Sequence, residues 1–392
     1  MNNTSHDTIA PIARPGILPT DGGGGRRQHP AGSRLDAVVE VRLSEKFGMP
    51  SPLLTRSASE GFLCALLALG VAQGDEVILP VSICHTMVNA VLLAGGTPVL
   101  ADCDHDLALS AEGLDHRLTE RTRCVVVHHP FGLACDLAPV RARLARHGNG
   151  TILVEDCAQA LGASFGDPVG SQGEIALFSF GPRKPLPAGI GGLVTTRGAA
   201  LRERLRLAAR VGAPGYPDNE VLGVNSSVGD ADAARLLESI DLFDAETAQR
   251  IADARTALEM LGGAIPIVGA DRRGGNPFRN IFHRIIVDLP TVNRKEHYNA
   301  FVDRARRMLE PEIAALCQTA VPKAPYESPY LDERYRRLGR ADLCDPAGNA
   351  FPVWRGTRWR YLYLRAGAGP IATALICNAL LRVTGQQPHG GV

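Results

Sequence analysis

A chain of 392 residues with 42 Lys+Arg against 41 Asp+Glu carries a formal charge of +1, and 45% of its residues are hydrophobic. That balance supplies a large apolar core and no basic excess with which to neutralise nucleic-acid phosphates, so nucleic acid is not an expected partner. The longest apolar run, Phe62 to Leu69 extending to Ala72, falls short of the ~20 residues of a membrane helix. Residues Met1 to Asp7 lack the basic start and apolar stretch of an export signal, which makes cytoplasm the expected compartment. The nine cysteines are scattered without a C-x-x-C pair, a pattern of buried small hydrophobes rather than of disulfides or a metal site.

Residues 1–32 hold several prolines and the run Gly22 to Gly25 with no hydrophobic period, and read as a flexible segment. From Ser33 onward Leu35, Val38, Val39, Leu43 and Phe47 recur at helical spacing, and Gly48-Met49-Pro50 stops the run before a strand at Pro52 to Thr55. An apolar helix follows at Gly61 to Gly70, then a strand at Glu76 to Pro80. Further strands are expected at 97–100, 124–127, 151–154 and 175–178, separated by helical stretches such as Leu137 to His147. Short apolar strands alternating with helices predict an α/β fold, a mainly parallel central sheet with helices on both faces and a ligand site at the strands' carboxyl ends. After Arg197 the pattern predicts helices over 199–211, 231–240 and 245–261, a strand over 282–289 and a helix over 295–309. This divides the chain into a large domain over 33–244 and a smaller C-terminal α/β domain over 245–392.

Three groups of residues fall where such a sheet places a site. Glu155-Asp156 follow an apolar strand, and a carboxylate there can hold a cationic ring nitrogen or cap the next helix. Lys184 sits on a turn between Pro182 and Pro185 ahead of Gly189 to Gly192, where a desolvated amine can form a Schiff base; an ordinary solvated lysine fits the same position. Thr55 to Gly61 place small and hydroxyl residues at a helix start, which serves as a phosphate site or as a plain N-cap. Phosphate cradle, pyridinium partner and Schiff-base amine are together the handles that pyridoxal phosphate requires.

The stretch from about Ser33 to Ile240 resembles the DegT/DnrJ/EryC1/StrS aminotransferases, the sugar-aminotransferase branch of the type I pyridoxal-phosphate fold. The resemblance rests on Gly74 to Pro80, Gly96 to Val99, Thr119 to Thr122, His129-Pro130-Phe131-Gly132, Glu155 to Gln159, Ser179-Phe180 with Lys184, and Gly191 to Thr195, in the family's order. It implies that Lys184 forms the Schiff base, Asp156 pairs with the protonated pyridine nitrogen, and Gln159 lies against the ring or its phenolic oxygen. It also implies that Ser179 and the amides of Ala58 and Ser59 bind the phosphate. Asn225 matches the place where the family donates an Asn to the phosphate of a neighbouring subunit, which implies a homodimer with a shared site. The expected substrates are an amino-acid donor, glutamate or glutamine, and a small keto acceptor: a keto-sugar, a keto-cyclitol or a related precursor in antibiotic or other specialised biosynthesis.

Several positions depart from the family's pattern. Cys84 stands where an aromatic residue stacks on the cofactor, leaving His85 beside it as the candidate, and Ser227 stands where an Arg is common. Arg183 precedes the lysine; it can lower the amine's pKa, receive an anionic substrate or be solvated. The family's C-terminal His-Tyr segment has no clear match, with His297-Tyr298 and Tyr326 to Tyr330 as its remnants and Trp354, Trp359 and the Arg355 to Arg360 cluster open in role. A lyase or dehydratase on the same cofactor, or a silent partner subunit, are the alternatives; intact Lys184, Asp156 and Ser179 favour the aminotransferase.

Overall fold

The computed structural model describes residues 34–211, 221–261, 264–269, 278–289, 292, 294–318, 324–343 and 351–386. The expected flexible segment 1–32 and Cys344 lie outside the described residues. Helix α1 (Arg34–Phe47) and strand β1 (Leu53–Thr55) lead into α2 (Ala58–Ala68), β2 (Glu76–Pro80), α3 (His85–Leu93), β3 (Thr97–Ala101), α4 (Ala111–Asp115) and β4 (Thr122–His128). Next come α5 (Ala138–His147), β5 (Ile152–Asp156), the short β6 (Ser164–Phe165) and β7 (Asp167–Pro168), β8 (Ile175–Ser179), β9 (Gly192–Thr196), α6 (Ala199–Ala208) and α7 (Asp230–Leu261). The remainder holds β10 (Phe278–Arg279), β11 (Arg284–Asp288), α8 (Lys295–Arg306), α9 (Pro311–Ala314), β12 (Cys317–Gln318), α10 (Pro329–Arg337), α11 (Pro352–Thr357), β13 (Tyr361–Arg365) and α12 (Pro370–Thr384).

The central sheet has seven strands in the order β1-β9-β8-β5-β4-β2-β3. Strands β3, β2, β4, β5 and β8 pair in parallel, while β9 is antiparallel to both β8 and β1. Every residue of β2, β3, β5 and β9 is buried, as a sheet covered on both faces requires. One apolar cluster joins α2, α3 and the β2–β4 half of the sheet, and a second joins α1, the first half of α7 and β8. A third lies around the small sheet β11-β13-β12, which α8, α12 and the second half of α7 cover.

The two helices expected over 231–240 and 245–261 are one 32-residue helix, α7. The stretch between them, Asp241-Leu242-Phe243-Asp244, contains neither Gly nor Pro, so nothing interrupts the backbone ladder. Phe243 packs edge-on against Phe47 with ring centroids 5.0 Å apart, and Lys46 reaches Asp244 at 2.7 Å, fixing α1 along the helix. The strand expected from Phe282 begins at Arg284, because Phe282 has a φ of +47°, outside the extended region. Helix α3, which no sequence pattern announced, starts at His85. No helix among the described residues is long and apolar enough to cross a membrane.

Candidate active site

Strands β1, β2, β4, β5 and β8 all point the same way, so the segments that leave their carboxyl ends gather on one edge of the sheet. Thr55 ends β1 ahead of Ala58 and Ser59, Pro80 ends β2 ahead of Cys84 and His85, and His128 ends β4 ahead of Phe131. Asp156 ends β5 ahead of Gln159, and Ser179 ends β8 ahead of Lys184. The acidic pair thus forms the last two residues of β5 and caps no helix.

Glu155 and Asp156 point to opposite faces, as alternation along a strand demands, and do different work. Glu155 accepts from the amides of Gly170, Gln172 and Gly173 at 2.8, 2.7 and 2.5 Å and from His129 at 3.1 Å. The amide of Cys135 donates to Nδ1 of His129, so Nε2 carries the hydrogen that Glu155 accepts. Burial alone would raise the Glu155 carboxyl, but these donors carry it below its ordinary range. His129 and Glu155 are therefore a hydrogen-bonded brace for the loop after β7, with the Cys157 thiol buried within 4.8 Å of their ligand-type atoms.

Asp156 is also buried but receives one backbone donor, the amide of Ala158 at 3.0 Å. Burial pushes its carboxyl upward, with Ala158, Lys184 and His129 opposing. Lys184 is shifted the other way, its amine lowered first by burial and further by Arg284 and Arg183, with Asp156 and Cys84 resisting. A turn closed by the Lys184 amide on the Gly181 carbonyl at 3.0 Å holds the lysine.

The first turn of α2 supplies a cradle. Ser57 caps it by accepting from the Glu60 amide at 3.1 Å, which leaves the Ala58 and Ser59 amides at the positive end of the helix. Gly192 passes directly beneath: a Cβ there would lie 2.2 Å from the Ala58 nitrogen and the Ser57 carbonyl carbon, so only glycine permits the approach. Ser179 pairs with Gly192 across β8 and β9, which brings its hydroxyl to the same corner. Ser59 donates to Thr86 at 2.7 Å and so ties the start of α2 to that of α3, where His85 is half-buried.

The family model of the DegT/DnrJ/EryC1/StrS aminotransferases matches residues 31–315. The chain belongs to this family. A UDP-N-acetyl-3-dehydro-alpha-D-glucosamine 3-aminotransferase of Acidithiobacillus ferrooxidans is 38% identical over 51% of this chain and 54% of its own length. An L-glutamine:2-deoxy-scyllo-inosose aminotransferase of Streptomyces fradiae is 37% identical over 55% of this chain and 54% of its own. The chain thus spans about half the length of the curated relatives it matches. Among solved structures, DesV of S. venezuelae superposes with a TM-score of 0.76 at 25% identity over 93% of this chain and 92% of its own. An aminotransferase of Psychrobacter cryohalolentis gives the same score at 22% identity over 90% and 91%. The fold is the type I fold of pyridoxal-phosphate enzymes.

The family's cofactor is pyridoxal phosphate, and the residues present fit it. Asp156 is a buried carboxylate with one amide donor and room in its chemistry for a cationic partner, which a protonated pyridine supplies. The Gly192 approach under α2 keeps open a corner that any side chain would close.

Other expected residues lie at varied distance from this centre. Gln159 is half-buried and accepts from the Phe131 amide at 2.9 Å, so its amide is anchored to the loop after β4. Cys84 is exposed and within electrostatic reach of Lys184, whereas Cys157 is fully buried with its thiol pushed well up by burial. Asn225 is exposed on the loop before α7, where it accepts from the Ser227 amide at 3.2 Å; the neighbouring Ser226 receives the Arg56 amide at 3.1 Å. Tyr298 and Trp354 are core residues, and Arg358 pairs with Glu327 while lying over the Trp359 ring.

The sequence reading missed Arg250, His283, Arg284 and Arg365, which share a cavity with Lys184 and Arg183. Ile281 donates to the Gly132 carbonyl at 3.0 Å, and Gly132, at φ +90°, lies so close to His283 that a Cβ would meet its amide at 2.6 Å. That crossing carries β11 to the lysine. A signal existed for Arg250 alone: it occupies the buried stripe Phe243, Thr247, Arg250, Ala254, Ala257, Leu261, where a cation is out of place.

Proposed function

We propose that the protein is a pyridoxal-phosphate-dependent aminotransferase that moves an amino group from glutamate or glutamine to a keto-sugar, keto-cyclitol or related precursor of a specialised metabolite. The observation that carries this reading is the opposition of Lys184 and Asp156: a desolvated amine with lowered basicity facing a buried carboxylate, at the ends of neighbouring strands. When bound, the cofactor supplies an electron sink for the pair released as the substrate's C–H bond breaks.

This chain's residues supply the rest. Lys184 would hold the cofactor through its amine, and the same amine, when free, would carry the proton released from the donor carbon. The lowered basicity from burial and from Arg284 and Arg183 keeps more of that amine unprotonated near neutral pH. Asp156 holds the proton on the ring nitrogen, and its burial strengthens that pairing. Ser179 and the Ala58 and Ser59 amides take the phosphate, Gln159 the ring's polar edge and His85 its face. Asn225, exposed on its loop, reaches the phosphate of a second copy, so the working unit is a homodimer in the cytoplasm. The curated relatives named for sugar and cyclitol substrates support the acceptor class.

The test is the visible spectrum of the purified protein, recorded with added cofactor and then with glutamate, glutamine and other amines. A cofactor band that each effective donor bleaches, and that a keto acceptor restores, is the expected result. A protein that stays colourless with added cofactor, or one whose band no amino donor changes, defeats the reading.

A further inference from the structure

Lined by Lys184 but by none of the residues of the phosphate cradle is a cavity of about 300 Å³ whose wall also carries Arg183, Arg250, Arg284 and Arg365. Among the described residues lining it, Glu246 is the one carboxylate, and it serves Arg250 at 3.6 Å. The four arginines come from the turn after β8, the middle of α7, the start of β11 and the end of β13. Arg284 and Arg365 stand directly opposite one another in the antiparallel register, a like-charge pairing that destabilises a bare sheet. Arg284 donates to the carbonyl of its neighbour His283 at 3.0 Å, and neither it nor Arg365 has a carboxylate partner among the described residues. Burial, Arg365 and Arg183 together push the Arg284 guanidinium down to about 10.

Arg250 is 8% exposed. It donates to Thr247 at 2.6 Å and to the Pro185 carbonyl at 3.2 Å, while its Nε is buried without a partner. His283 is buried beside these groups and held neutral by burial and then by Arg284, Lys184, Arg250 and Arg183, so it neither adds to their positive charge nor offsets it. A fold that gathers four guanidiniums around one carboxylate carries a repulsion that a bound anion removes.

We propose that this cavity is a subsite for a small substrate bearing two negative charges on oxygen, held beside the Lys184 amine. The assignment rests on the aminotransferase reading above and narrows its substrate class. Guanidinium forks match the paired oxygens of a carboxylate or a phosphate, and charge-assisted bonds of this kind are the strong ones. A dicarboxylate amino donor and a phosphate monoester on the keto acceptor present the same chemistry. An uncharged keto-cyclitol with an amide donor such as glutamine leaves most of the cavity's charge unanswered.

The experiment titrates the holoenzyme, whose cofactor fills its own phosphate cradle, with inorganic phosphate, glutarate and uncharged inositol by calorimetry. Anion binding is expected, with Arg284→Gln and Arg365→Gln each weakening it about ten- to a hundredfold, and Arg365→Gln leaving the visible band of the bound cofactor unchanged. Arg365 is exposed at a strand end, so its variant tests the subsite even if Arg284→Gln misfolds. Glutarate binding without phosphate binding assigns the charges to the donor, the reverse assigns them to the acceptor, and binding of both keeps the shared chemistry. Neither anion binding, or wild-type affinity in both variants, overturns the subsite. Anion binding through these arginines in a protein whose cofactor no donor bleaches defeats the aminotransferase reading, whereas bleaching without anion binding defeats the subsite.

Discussion

The two sides of Lys184 are built by different rules. On the cofactor side each group follows the carboxyl end of a strand in the same sheet, and sheet direction alone brings Ala58, Ser59, Gln159, Ser179 and Lys184 to one edge. On the cavity side the arginines come from a turn, a helix and two strands of a separate small sheet; strand register sets Arg365 opposite Arg284, and the close approach of Gly132 to His283 holds the start of that strand in place. Local chain order thus positions the first group, and long-range packing positions the second.

Variants can break that contrast. The largest effect belongs to Lys184→Ala: amine transfer drops about a thousandfold or more, and borohydride reduction leaves cofactor bound covalently to the parent protein but not to the variant. Asp156→Asn keeps the shape and removes the charge, so kcat falls about a hundredfold. Its neighbour offers the sharpest comparison. Glu155→Gln leaves kcat near the parent value and costs about 1–3 kcal/mol in urea unfolding, because this carboxylate braces a loop instead of facing the cofactor. Equal kcat losses in the two variants would erase the distinction drawn between them.

Gly192→Ala forces a Cβ to within 2.2 Å of backbone atoms at the start of α2. It is expected to lower stability by about 1–3 kcal/mol and to weaken cofactor binding measured by equilibrium dialysis, while anion affinity on the cavity side stays intact. Loss of both together would mean that the two sides are one mechanical unit.

The most gradual effect is in pH. Burial, and then His129, take His128 from 6.5 down to about 3, so it is neutral in the folded protein where the unfolded chain takes up a proton. Its stability contribution is complete above about pH 6.5 and is lost as pH falls toward 3, by at most about 1.4 kcal/mol per pH unit. His283 acts in the same direction. Urea unfolding of His128→Gln across this range is expected to show a shallower slope than the parent; an unchanged slope would remove His128 from the account.

The sheet was legible because its strands are short apolar runs between turn residues, and β2 begins and ends where its sequence does. The pattern predicts two helices, 231–240 and 245–261, where α7 is one, and Asp241 and Asp244 between them simply face outward and pair with Arg42 and Lys46 of α1. Glu155 and Asp156 look alike in sequence, and their division of labour depends on amides from residues 170–173 that no local pattern announces. Nothing in the local sequence marks Arg284 and Arg365, since their opposition is a matter of register between strands far apart in the chain. Recognition of the lysine turn and the strand-end aspartate was possible because both depend on few neighbours.

Helix α7 spans about 48 Å at 1.5 Å per residue. Its first half is seated in the core beside β8 through Leu236, Ile240 and Phe243, its second half in the small-sheet core through Ala254, Ala257 and Leu261, and Arg250 lies between. Farther along, Asp253 accepts from the amides of Gly367 and Gly369 and so clamps the loop that leaves Arg365. The helix therefore works as a calliper: one jaw rests on the lysine's sheet and the other on the sheet of paired arginines, and its length sets the gap between them. A single residue inserted after Phe243 would turn everything beyond it by about 100° and open the jaws out of register.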